Sequence, residues 1–120
     1  MKVAVTAQGQ DLDSPVDPRF GRAPYFVVVD TETGHADAHD NSQNVAATQG
    51  AGVQAGRNVV DLGVEAVLTG NVGPKAFSAL RAGNVRIYLG AAGTVAETVE
   101  QFKAGRLTPA DDANVPGGWG

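Results

Sequence analysis

The sequence predicts an α/β fold: a mixed five-stranded sheet of order 3-2-1-4-5, strand 2 antiparallel, held between helices in three layers. Three observations predict it. Apolar runs of strand length open the chain, segments with the helical period alternate with short strands after about residue 48, and Gly or Pro stands at nearly every changeover.

Lys2 to Thr6 alternates, with Val3 and Val5 on one side, and reads as strand 1. Residues 8–22 form a polar loop containing Pro15, Pro18 and Gly21, because proline disfavours regular structure around it. Tyr25 to Asp30 is nearly continuously apolar, as a central strand is. The TETG stretch, Thr31 to Gly34, turns the chain into a polar edge strand near His35 to His39.

A first helix is expected from about Thr48 to Leu62, where Val53, Gly56 and Val60 share a face; its internal glycines suit either close packing or an irregular start, and Gly63 suits the position just past its end. Glu65 to Thr69 is the fourth strand. Pro74 opens a second helix at the position most tolerant of proline, and Gly83 ends it. Val85 to Leu89 is the fifth strand. Thr94 with Glu97 forms a capping box for a third helix carrying Val95, Val99 and Phe102, closed by Gly105. From Arg106 onward Pro109, Pro116 and several glycines predict a flexible tail over 105–120 after a domain of 1–104.

The first three strands suit an antiparallel unit, whereas the helical crossovers require parallel pairing. Right-handed crossovers then give a compact ribonuclease H-like arrangement. Strand 1 lies centrally, and its C-terminal end comes beside that of strand 4, the edge where open α/β sheets commonly bind ligands.

At 120 residues the chain has the length of one domain, and its 42% apolar but 6% aromatic content predicts a core of valine, leucine and alanine. A formal charge of −4 supplies no general attraction for nucleic acid or an anionic membrane. No run approaches the length of a bilayer span, and the start, MKVAVT, is too quickly polar for a signal peptide, so a cytoplasmic protein is expected. The polar edge strand is compatible with a monomer or a weak dimer. The chain contains no cysteine, so it cannot supply thiolates for zinc or an iron–sulfur cluster.

Two glycine-marked turns are the first candidates for function: Gly50–Gly52 (GAG) and Thr69–Pro74 (TGNVGP). Unpaired N–H groups at such turns suit an anion, but neither turn carries a nucleotide-binding signature. Thr69, Gly70, Asn71 and Gly73 in one turn and Gly50 and Gly52 in the other are therefore either ligand contacts or structural devices. Asn44 and Thr48 are candidate caps or ligand-facing donors. Arg19 and Arg22, in RFGRAP, can neutralise an anionic group while Phe20 packs beneath, or they are simply solvated. His39 lies beside Asp40 at a strand exit and is either the better candidate for a single metal ligand or a structural or solvent-exposed histidine; His35 is about 13 Å away along an extended strand, too far to share one ion. Asp11, Asp13 and Asp17 share the first loop, but metal-dependent hydrolysis on this fold wants an acid inside strand 1, which has none. They read as turn caps and surface charges, and no activated nucleophile is indicated.

Phe20–Asp30 (FGRAPYFVVVD), followed by Gly50–Gly52, Gly63-Val64, Thr69–Pro74 and Leu80–Gly83 (LRAG), resembles the dinitrogenase iron–molybdenum cofactor biosynthesis family over residues 1–104. The resemblance implies a small ribonuclease H-like domain without catalytic activity. It implies binding or carriage of an iron–molybdenum cofactor, its iron–sulfur precursor or another molybdenum-containing cluster, bound and not self-assembled, and a cofactor-assembly or acceptor protein as partner. Arg19 and Arg22 would attract the anionic cluster, the glycine turns would offer N–H donors, and His39 would be a direct ligand. A protein-interaction domain without a cluster is the alternative.

Overall fold

The computed structural model describes residues 1–41 and 51–115. Strands β1 (Lys2–Ala7), β2 (Tyr25–Asp30) and β3 (Ala36–Asp40) come first, then helix α1 (Ala51–Asp61), β4 (Ala66–Leu68), α2 (Pro74–Ala82), β5 (Arg86–Leu89), α3 (Val95–Lys103) and β6 (Thr108–Pro109). They form one mixed sheet of order β3-β2-β1-β4-β5-β6. β1 pairs parallel with β4 and β4 with β5, whereas β2 lies antiparallel between β1 and β3.

The sheet therefore has six strands, not the expected five. Thr108–Pro109 pairs antiparallel with Leu89 and Tyr88 at the edge beyond β5. Two residues, one of them proline, leave no alternation to read in the sequence, and an edge is where proline is tolerated in a sheet. Leu107 holds this strand in place from within the core, and the Ala110 N–H continues the attachment by donating to the Ile87 carbonyl at 2.9 Å.

The sheet is covered on both faces, which explains why β4 is apolar throughout and why Val3, Ala4 and Val5 of β1 are all buried whichever face they point to. On one face Val3, Val5, Val27, Val29 and Leu68 pack against Val95 and Val99 of α3. On the other, Ala4, Phe26, Val67 and Ile87 meet Ala55 and Val59 of α1 and Ala76 and Leu80 of α2. β2 and β3 join through a turn in which the Asp30 carboxylate accepts from the N–H groups of Glu32 at 2.9 Å and Thr33 at 3.3 Å, and these bonds hold its carboxyl below the usual range.

The capping box of α3 is present: the Glu97 N–H donates to the Thr94 hydroxyl at 3.2 Å, and the Thr94 N–H donates to the Glu97 carboxylate at 3.1 Å. α2 begins with Pro74 at its first turn, as expected. Its end differs in detail: Asn84, at φ 61°, takes the left-handed position, and Gly83 has an ordinary φ of −92°. What Gly83 supplies is space, because a Cβ there would collide with the Val60 methyls of α1. Gly56 does the same from α1, where a Cβ would lie 2.8 Å from that of Ala79. Close packing is thus the use of these glycines, and a groove of about 700 Å³ runs along the outside of the helix pair from Pro74 and Lys75 to Asp61 and Gly83.

Candidate functional site

β1 and β4 end side by side, so the 8–22 loop and the 69–74 turn leave the sheet at the same edge. They are stitched together. The Asn71 N–H donates to the Pro18 carbonyl at 2.8 Å, the Asn71 side-chain amide reaches the same oxygen at 3.3 Å, and the Phe20 N–H donates to the Asn71 carbonyl at 3.3 Å. Arg19 and Asn71 are in consequence paired as in a parallel ladder. Two segments more than fifty residues apart in sequence become one rim.

Below this rim lies a buried hydroxyl pair. The Thr6 hydroxyl donates to the Asp17 carbonyl at 2.7 Å, and the Thr69 hydroxyl lies 2.9 Å from it. A carbonyl can only accept, so the Thr6 proton is committed there and Thr69 supplies the proton between the two hydroxyls. Thr6 and Thr69 are wholly buried. Thr69 accordingly ties β4 to β1 and the loop, with no side-chain surface at the rim. Thr6 gave one signal in the sequence, a lone polar residue ending an apolar strand, but its partners are distant in the chain.

Gly70 is packed under the loop. A Cβ there would lie 2.9 Å from the Pro18 Cα and 3.0 Å from its carbonyl oxygen, and neither backbone atom can swing aside. Gly70→Ala is expected to destabilise the protein by about 1–3 kcal/mol through overpacking. Urea unfolding checks this; a stability unchanged within about 0.5 kcal/mol, the spread of neutral surface changes, rejects the tight contact.

Arg19 is half exposed, and its Nε lies 3.7 Å from the carboxylate of Asp17, which is buried and also accepts from the Arg19 N–H at 2.9 Å. Asp17 is thus a turn cap, buried rather than solvated. Arg22 is half-buried on the same loop, after Phe20 and Gly21, both of which are buried. Asp17 offsets the charge of Arg19. Gly73 is the N-cap of α2; no side chain caps that helix, and Pro74 contributes no N–H. The start of α3 differs, since the N–H groups of Val95 and Ala96 donate to the carbonyls of Ser14 and Leu12.

Gly52 lies in the first turn of α1. Asn44, Thr48 and Gly50 lie outside the described residues, so the first glycine turn is described only from residue 51 onward. His39 is exposed on β3, opposite Phe26, which is opposite Thr6. It therefore faces the α1–α2 side at two strand spacings, about 10 Å, from β1. Among the described residues no three His, Cys, Asp or Glu side chains stand together in a way that could hold a metal ion. No helix among them is long and apolar enough to cross a membrane.

The profile of the dinitrogenase iron-molybdenum cofactor family matches residues 1–105. The chain belongs to this family. It is similar, at 42% identity and a TM-score of 0.92, to the orange protein of Desulfovibrio gigas, solved in its apo form, with 95% of this chain and 96% of that one covered. A Thermotoga protein described as a candidate NifB is 37% identical with a TM-score of 0.82, covering 95% and 97%. A Methanocaldococcus jannaschii protein of uncharacterised function is 28% identical over 109 residues, 89% of either chain. The family points to a cofactor related to iron–molybdenum and iron–sulfur clusters, and the three-layer mixed sheet is shared with the solved relatives.

Proposed function

We propose that this chain binds an anionic iron–molybdenum cofactor, its iron–sulfur precursor or a related molybdenum cluster as cargo, and passes it to a cofactor-assembly or acceptor protein without catalysing a reaction. The observation that carries the reading is the stitched rim, in which Arg19 is held against Asn71 at the C-terminal edge of β1 and β4. Family membership supplies the class of cargo. We assign the scaffold to the ribonuclease H-like class, acting in the cytoplasm as a monomer or weak dimer.

The donor set fits a cluster assembled elsewhere. With no cysteine in the chain and no group of three or more His, Cys, Asp or Glu ligands among the described residues, the cargo is held by charge, hydrogen bonds and a single imidazole rather than built in place. Arg19 and Arg22 supply the charge, while Asn71, Gly73 and the uncapped start of α2 supply dipoles of the right sign. Thr69 and Gly70 act beneath as supports. Asn44, Thr48, Gly50 and Gly52 are further candidate contacts to the cargo, and His39 offers one direct ligand from β3. Retention without thiolates suits a carrier, which must release what it binds.

Anaerobic incubation with isolated iron–molybdenum cofactor tests the reading. About one cofactor per chain is expected after gel filtration, by metal analysis and visible absorption, as for a single saturable site. No retained metal and no spectral change would overturn it.

A further inference from the structure

We propose that Asn114 is a positioning residue: it fastens the segment after β6 onto the 69–74 turn and, through Asn71, holds Arg19 at the rim. The inference rests on the cargo reading for its consequence, though not for the clasp itself.

The clasp is made in both directions. The Val72 N–H donates to the Asn114 side-chain oxygen at 2.8 Å, and the Asn114 N–H returns a bond to the Val72 carbonyl at 3.1 Å. The Asn114 side-chain nitrogen donates to the Asn71 side-chain oxygen at 2.9 Å. Asn71 in turn donates its own side-chain nitrogen to the Pro18 carbonyl at 3.3 Å, and its backbone pairs on either side of Arg19. Both amide orientations follow from the backbone, since the Val72 N–H can only donate and the Pro18 carbonyl can only accept. Asparagine at 114 is therefore used at both ends of its amide. Aspartate would lack the donor for Asn71, and alanine would lack both groups.

Delivery of Asn114 to this place has its own causes. Leu107 is buried, β6 pairs with β5, and Ala110 is bonded to Ile87. Leu107, Thr108–Pro109, Ala110 and Asn114 all lie beyond 105, where the family match ends. The clasp thus joins a segment outside the matched region to the rim inside it. Three separate stretches, residues 17–20, 71–72 and 114, form one hydrogen-bonded unit, and the stretch carrying the cation is the last link.

Amide hydrogen exchange on the full chain, followed by NMR, tests the clasp directly. Asn114→Ala is expected to lower protection of the Val72 N–H by about fivefold or more, the equivalent of one net hydrogen bond, with Asn71 and Phe20 following. The Thr98 N–H, bonded to the Thr94 carbonyl in α3, serves as the unchanged control. Titration with isolated iron–molybdenum cofactor should show Asn114→Ala weakened about fivefold, and adding it to Arg19→Ala should weaken binding no further. Unchanged exchange at Val72 overturns the clasp. Lost protection with unaltered affinity overturns the positioning role, and an equal further loss in the Arg19→Ala background overturns the route through Arg19. Failure of the unaltered chain to bind the cofactor would overturn the cargo reading and the positioning role with it, while the exchange data still decide the clasp.

Discussion

Phe20→Ala is expected to lower the unfolding free energy by about 3–5 kcal/mol, as removal of a fully enclosed phenylalanine does. Phe20 has no exposed surface, and its ring lies 5.3 Å from that of Phe26 between centroids, tilted by 35°. It belongs to the cluster that joins α1 and α2 to the sheet, although it comes from the loop. Deleting the ring therefore opens a cavity on the helix-pair face and releases the loop at once. Natural domains are stable by only about 5–15 kcal/mol, so the loss is a large share of the whole. Urea unfolding followed by circular dichroism should show a lower midpoint with an unchanged slope. Phe20→Leu should retain more than half of the lost stability, since it refills most of the volume. A loss below about 1 kcal/mol for alanine would mean that the loop collapses into the space and that Phe20 is not its anchor.

Phe20 was readable as an anchor because a lone aromatic in a polar loop has few other uses. The same holds for other features whose cause is local. β2 coincides with its apolar run, Pro74 marks the start of α2, and the Thr94–Glu97 box marks that of α3. Features whose cause lies far along the chain were not readable. Gly70 looks like a flexible turn residue, yet what it must avoid is Pro18, and Gly83 looks like a helix stop, yet its partner is Val60. The Thr6–Thr69 hydroxyl pair spans 63 residues, and the tie between Asn71 and Asn114 spans 43. β6 is too short for any period to appear and is defined by the edge it covers. The candidate site is made largely of such distant ties, which is why the arginine loop could be named but not what holds it. Arg19 stands out as a cation near glycine, whereas its pairing with Asp17 depends on the turn that buries the acid.

That pairing sharpens the strongest expectation for binding. Replacing Arg19 and Arg22 together by alanine should weaken the affinity for isolated iron–molybdenum cofactor by about a hundredfold, the loss of two charge-assisted contacts at an exposed rim. The double change leaves the buried Asp17 beneath the rim without its cationic partner, so its charge opposes an anionic cargo. Asp17→Asn supplies the opposite arm: it keeps an oxygen for the Arg19 N–H, removes the negative charge and should tighten binding by about three- to tenfold. The arginine effect should shrink as ionic strength rises, because exposed charges are screened within about 8 Å at physiological salt, while that of the buried Asp17 should shrink less. Circular dichroism and urea unfolding serve as controls, since removing Arg19 takes a partner from the buried Asp17 carboxylate and any loss of folding must be separated from lost binding. Unchanged affinity in the double variant removes the arginines from the site. Weaker binding in Asp17→Asn, with folding intact, would show that the acid serves the cargo through geometry and not through its charge.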